Sequence, residues 1–140
     1  MTEIRFHGRF GQPVGKLVRD LGKYALNQGK NVQVFDAFAA FRPGAPMYSI
    51  LRISNELIRE RSANNTQPDV VVVLDNSLFG VADVTKGLKR SGQVMALGVG
   101  ESILGNQAVD FHFVPLDSLF QEGANLETNF INLLQKQDLL

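Results

Sequence analysis

Ile4-Arg-Phe-His-Gly-Arg-Phe-Gly-Gln-Pro-Val-Gly15, continued to Lys30, decides how this chain folds. Ile4 to His7 alternates apolar and polar residues, the pattern of a short strand. Gly8, Gly11 and Gly15 follow in strand-to-helix position. Pro13 suits a first helical turn, where its missing N–H costs nothing. Val14, Leu17, Val18, Leu21 and Ala25 then recur at helical spacing and make one apolar face. Gly29 ends the helix, and Asn31-Val-Gln-Val-Phe35 is a second strand. The simplest pairing of the two strands is parallel, with a right-handed crossover. Such a unit opens an α/β nucleotide-binding type of fold.

The chain beyond it keeps alternating. Asp36 to Pro46 is rich in small residues and broken by Pro43, Gly44 and Pro46, so it reads as a loop. It carries Phe38 and Phe41 and is entered through Phe35. These aromatics either plug the end of the core or form a subunit or ligand contact, since loops on a rigid scaffold carry function. Met47 to Ser54 is a strand of β-branched and aromatic residues. It follows a loop instead of a helix, which predicts antiparallel pairing at one side. Asn55 to Asn64 is polar, and Arg59, Glu60 and Arg61 within it are either solvated or a phosphate site. Pro68-Asp-Val-Val-Val-Val-Leu-Asp75 is an apolar run bounded by turn residues, the mark of a strand buried on both faces. Asp75 and Asn76 close it, at the strand end where open α/β sheets bind ligands.

Phe79 to Arg90 has Val81, Val84 and Leu88 at helical spacing, and Gln93 to Val99 is the next buried strand. Ser102 to Val109 is a loop or short helix, and Phe111 to Pro115 a last short strand. Asn125 to Gln137 carries Leu126, Phe130, Leu133 and Leu134 on one helical face. The whole predicts a single α/β domain over residues 1–140. Its sheet is Rossmann-like and mostly parallel, with helices on both faces.

The 140 residues are the size of one domain. With 44% hydrophobic residues and no net charge, the chain lacks the signature of disorder. The same balance lacks the positive field of a nucleic-acid binder, so no nucleic acid is expected as a partner. There is no cysteine, which removes disulfides, thiolate zinc sites and cysteine-held iron–sulfur clusters from this chain. The N-terminus has no apolar stretch of a signal peptide. The longest apolar run, Val70 to Leu74, is far below the roughly 20 residues of a membrane helix. A cytoplasmic location without membrane contact is the expectation.

The glycine turn is the strongest candidate for chemistry. Anion sites use glycine so that backbone N–H groups can approach a phosphate at a helix N-terminus. Gly8, Arg9, Gly11 and Gln12 are the residues that could do so here. The spacing is Gly-x-x-Gly, so the dinucleotide fingerprint is absent, and Asp36 is not where that fingerprint has its acid. Phe10 crowds the turn and Pro13 removes one donor. His7, beside the turn, is either a hydrogen-bonded structural residue or a base. His112 is flanked by Phe111 and Phe113 and faces outward. Two isolated histidines make no metal-ligand pattern, no serine sits in a nucleophile elbow, and no carboxylate pair is evident. The chain has no complete active site.

Four stretches in order resemble the gamma subunit, or gamma domain, of the 2-oxoacid:ferredoxin oxidoreductases. Ile4-Arg-Phe-His-Gly-Arg-Phe-Gly-Gln12 is similar to the family's opening, R-x-x-G-x-G-G-Q-G. Phe35 to Pro46 resembles its aromatic loop ending in arginine-glycine-alanine-proline. Ile50 to Ser54 followed by Asn55-Glu-Leu-Ile58 resembles its R-I-S-x-x-P-I strand, and Pro68 to Asp75 its next buried strand. The resemblance covers residues 3 to about 115. It implies a part of an enzyme that decarboxylates a 2-oxoacid, pyruvate among them, on thiamine diphosphate and passes electrons through iron–sulfur clusters to ferredoxin. Thiamine diphosphate, magnesium and the clusters would lie on other subunits. The partners implied are alpha, beta and, where one exists, delta subunits. This chain would be a non-catalytic gamma subunit, packing on them and helping to close their site. Phe35, Phe38, Phe41, Arg42 and Gly44 are its expected interface residues.

In coenzyme A-using members the gamma part is associated with that ligand. Here Phe10 and Pro13 replace two of the turn's glycines, and Ala39, Ala40, Phe41 and Pro43 replace charged residues of the loop. These departures count against coenzyme A at the turn. They leave a member that does not use it, such as one acting on oxalate, or a structural remnant. The alternative function is a free-standing nucleotide or coenzyme A binding module. An independent small reductase is disfavoured by the missing fingerprint.

Overall fold

A computed structural model describes residues 1–38, 42–59, 66–116 and 126–136. Six strands form one mixed sheet: β1 (Thr2–Arg9), β2 (Asn31–Phe38), β3 (Pro46–Ser54), β4 (Val70–Val73), β5 (Gln93–Ala96) and β6 (His112–Pro115). Their order is β2-β3-β1-β4-β5-β6. β1–β4, β4–β5 and β5–β6 pair in parallel, while β3 is antiparallel to both β1 and β2. The α/β class and the antiparallel side therefore agree with the expectation.

The direct parallel pairing of the first two strands does not. β3 returns between them, so Ile4 faces Leu51 and Val34 also faces Leu51 across the other side. β1 and β2 still run in one direction. The sign of this lay in β3 itself, where five consecutive residues, Ile50 among them, are buried. Burial on both faces marks a central strand, whichever neighbours it takes. β2 is also longer than expected: Phe38 closes the strand, so Phe35 and Phe38 belong to the sheet and not to a loop. Phe41 lies outside the described residues.

The helix α1 (Val14–Asn27) packs Val14, Leu17, Val18, Leu21 and Ala25 onto one sheet face. Gly29 sits just past its end at φ +84°. A second helix, α2 (Leu126–Lys136), lies on the same face, where Phe130 and Leu134 are fully buried. Ile4, Phe6, Leu51, Val70, Val72 and Met95 supply the sheet side of that core.

The opposite face is covered differently. Val71, Val73, Val94 and Ala96 pack against Leu78, Val84, Leu88 and Leu104. Leu78 and Leu104 lie on 3-10 helices, Asn76–Gly80 and Glu101–Val109, while Val84 and Leu88 lie in the turns and irregular chain between the first of these and β5. The α-helix expected over Phe79 to Arg90 does not form. Val84 and Leu88 are buried as its pattern required, but Val81 is 63% exposed. The backbone groups of the stretch are claimed by tertiary partners. Arg5 Nη2 donates to the carbonyls of Val84 (2.8 Å) and Lys86 (2.7 Å), and Lys89 N–H donates to Pro68 O (3.0 Å). Gly87 stands at φ +79°, and a Cβ there would lie 2.5 Å from Thr66 O. A helix would have to give up these bonds and this close approach.

Candidate functional site

β1 and β4 are neighbours, parallel, and leave the sheet in opposite directions. β1 continues into α1 on the first face. β4 continues into the 3-10 helix Asn76–Gly80, whose Leu78 packs on the second. Adjacent strands whose connections part in this way form a topological switch point, the crevice where open α/β sheets hold ligands.

Arg9 and Gln12 bring side chains into this crevice, while Gly8 and Gly11 shape the chain that carries them. Gly8 and Arg9 are the last residues of β1, so the turn proper is Phe10 to Pro13. Pro13 takes the N-cap position of α1, with no side-chain cap. Gly11 turns the chain at φ +103°. A Cβ on Gly8 would lie 2.4 Å from Val14 Cγ2, so that glycine lets α1 close on the strand.

The polar groups of the crevice are tied to one another. Arg9 Nε lies 3.3 Å from Asp75 Oδ2, and Arg9 Nη2 donates to Ser77 Oγ at 2.8 Å. Gln12 Nε2 donates to Asp75 Oδ2 (3.2 Å), while Gln12 Oε1 accepts the Arg9 N–H (2.8 Å). Ser77 donates to Asp75 Oδ1 from its hydroxyl (2.5 Å) and from its N–H (3.1 Å). The Ser77 hydroxyl foremost holds the Asp75 carboxyl below its ordinary range. The Ser77 N–H, Arg9 and Gln12 add to this, and partial burial opposes it.

The structure also brings the second group of sequence candidates here. Arg9 Nη1 donates to Gly44 O (2.8 Å). Phe10 exchanges main-chain bonds with Gly44 and Ala45, at 2.9 and 2.7 Å. Arg42 contributes its carbonyl to Ala45 N–H (3.2 Å), and its own residue is exposed. Phe35 is not in the crevice. Its ring lies half-buried on the second sheet face, 5.1 Å from the Arg52 guanidinium carbon. Sequence reasoning singled out Asp75 as a strand-end group but missed Ser77, whose only signal was its place two residues beyond that acid.

Beside the crevice, a cleft of about 380 Å³ opens on the second face, lined by His7, Pro46, Tyr48, Leu78, Ala82 and Asp83 among others. His7 is 7% exposed and its Nε2 accepts from Arg5 Nε at 2.8 Å. Burial foremost, then the adjacent Arg5 charge, pushes its pKa from 6.5 down to about 3, against a backbone hydrogen bond to Val84. His7 is thus a neutral structural acceptor at pH 7.

The unfolded chain, with a histidine near its ordinary value, takes up the proton first as pH falls. Stability from His7 is therefore complete above about pH 6.5 and is lost progressively from there toward about pH 3. The loss runs at up to about 1.4 kcal/mol per pH unit. His7→Asn should flatten this slope, and urea midpoints of both proteins at pH 7, 5.5 and 4 measure it. Parallel slopes would rule out a buried neutral His7.

The chain matches the pyruvate ferredoxin/flavodoxin oxidoreductase family over residues 3–134. It is 46% identical over 95 residues to the "Pyruvate/ketoisovalerate oxidoreductases common subunit gamma" of Thermococcus litoralis, a match covering 68% of this chain and 51% of that protein. It is 43% identical over 112 residues to "Pyruvate synthase subunit PorC" of Thermotoga maritima, covering 80% and 53%. The chain thus spans about half the length of these relatives. The crystal structure of pyruvate oxidoreductase subunit PORC from Thermotoga maritima superposes with a TM-score of 0.75 at 28% identity, covering 99% of this chain and 78% of that one. A gamma subunit from Geobacter sulfurreducens, at 14% identity and a TM-score of 0.58, shares the fold. The match to residue 134 extends the resemblance past the limit near 115 seen in the sequence and takes in most of α2.

Proposed function

This chain belongs to the pyruvate ferredoxin/flavodoxin oxidoreductase family, and on that premise we propose that it is a non-catalytic gamma subunit of a 2-oxoacid:ferredoxin oxidoreductase. The observation that carries the reading is the family match over nearly the whole chain, joined to identity with gamma-type subunits. The chemistry of the crevice supports it. Arg9, Gln12, Asp75 and Ser77 are bonded to each other, and the nearby histidine is neutral and buried. Such a group orders a turn and has no poised base or nucleophile.

In this reading thiamine diphosphate, magnesium and the iron–sulfur clusters belong to larger alpha and beta subunits, and to a delta subunit where one exists. Ferredoxin takes the electrons, and the substrate is a 2-oxoacid, with pyruvate first in line. The gamma chain supplies a rigid sheet edge. The end of β2 that carries Phe35 and Phe38, with Arg42 and Gly44 after it, is the surface that meets the larger subunits and helps close their active site. The place of action is the cytoplasm. Among the described residues no helix is long and apolar enough to cross a membrane.

Capture of the tagged chain from its host, with partner masses, iron and thiamine determined, tests this. Larger chains carrying iron and thiamine diphosphate, active on a 2-oxoacid, are the expected result. A chain recovered alone and free of iron would overturn it.

A further inference from the structure

The family association with coenzyme A can be tested on the donors of the Gly8–Gly15 turn. An anion site here would use main-chain N–H groups at the start of α1. Arg9 N–H is given to Gln12 Oε1, Phe10 N–H to Ala45 O, Gln12 N–H to Arg9 O and Val14 N–H to Gln12 O. Pro13 has no N–H to give. The Gly8 position, where a ligand could approach bare backbone, is filled by the Val14 side chain.

The charges agree with the donors. Arg9 is paired with Asp75. On the other side of the helix start, Arg19 is paired with Asp36. An Asp36 oxygen also lies 3.8 Å from where a Gly15 Cβ would stand, and it accepts from Ser49 at 2.6 Å. Asp36 and Asp75 therefore stand beside the start of α1, and each already holds an arginine. A phosphate would meet like charge there.

We infer that the polar side chains around this turn are satisfied from within the chain, Asp75 taking Arg9 and Gln12 and Asp36 taking Arg19, so that the crevice excludes the phosphates of coenzyme A and of dinucleotides. The residues present do not fit coenzyme A at this turn. The inference deepens the subunit reading by assigning the ligand class of its crevice. In a complex that transfers an acyl group to coenzyme A, the phosphates of that ligand are held elsewhere.

Calorimetry on the full chain with pyrophosphate and with coenzyme A tests the inference. The wild type should show no saturable binding up to about 5 mM, and Asp75→Asn, which keeps an acceptor for the Ser77 N–H, should bind pyrophosphate at least about ten-fold tighter. Wild-type binding of either ligand below about 1 mM, weakened by Arg9→Ala, overturns the inference. So does an Asp75→Asn chain with unchanged affinity. Should that variant not fold, the wild-type measurement still decides. Partner capture is read separately. A chain that captures larger subunits and also binds pyrophosphate refutes this inference and leaves the subunit reading intact. A chain that captures none and binds none does the reverse.

Discussion

Arg52→Ala is expected to cost about 3–5 kcal/mol of folding stability, because it strands a buried carboxylate. The Arg52 and Glu3 side chains are 2% and 4% exposed, and Arg52 Nε meets Glu3 Oε1 at 2.6 Å. Glu3 Oε2 has no hydrogen-bond partner among the described residues. Arg52 is therefore the group that hydrogen-bonds this carboxylate directly, with the Arg5 charge acting on it from further off. Arg52 also donates from Nη1 to Gln33 Oε1 (3.2 Å) and lies over the Phe35 ring, so β1, β2 and β3 are all joined through it. Alanine removes the charge, the bonds and the packed stem together.

Glu3→Leu with Arg52→Met should recover most of the loss, since an apolar pair of similar volume removes both buried charges. Chemical denaturation of the single and double variants gives both numbers. A cost below about 1 kcal/mol for the single variant would mean that the pair behaves as a solvated one.

Much of the fold was legible because its signals are local. The apolar run Val70 to Val73, the helical spacing from Val14 to Ala25 and the glycine after α1 each follow from residues close in sequence. What misled were positions whose partners are remote. Arg5 and His7 occupy the polar phase of β1, and both are buried. Arg5 reaches a stretch some eighty residues away and takes two carbonyls that an α-helix would have used. Periodicity over Phe79 to Arg90 correctly found Val84 and Leu88 in the core but could not register that competition. The insertion of β3 between β1 and β2 is likewise a long-range choice.

The crevice divides in the same manner. Gly8, Arg9, Gly11 and Gln12 were recognisable as a turn. Its joining to Gly44 and to Asp75–Ser77 needed the sheet order that brings β1, β3 and β4 together.

Phe130→Ala should release α2 from the sheet and cost about 3–5 kcal/mol, the range for removing a buried phenylalanine. Phe130 is fully buried and meets Phe6 of β1 edge-on, with ring centroids 6.0 Å apart at 65°. Leu134 is its buried companion one turn on. The helix has 11 residues, too few to persist in water without tertiary contacts, for which about 12–15 is the marginal length. One polar tie to α1, Gln135 Nε2 donating to the Tyr24 hydroxyl at 2.6 Å, is exposed and adds little by itself. Docking therefore rests on apolar contacts, with Phe130 and Leu134 at their centre and Ile131 and Leu133 packed at the margin. Hydrogen exchange should show the α2 amides unprotected in the variant while β1 and β4 stay protected. A Phe6→Ala, Phe130→Ala cycle should return a coupling of about 0.5–1.5 kcal/mol for the aromatic pair. Retained protection of α2 in Phe130→Ala would mean that other contacts seat the helix. Because Phe6 lies two residues before Gly8 on the strand that ends in the crevice, the same variant also asks whether the C-terminal helix steadies the turn. A loosened β1 would then appear as weaker capture of the larger subunits by a chain whose crevice residues are untouched.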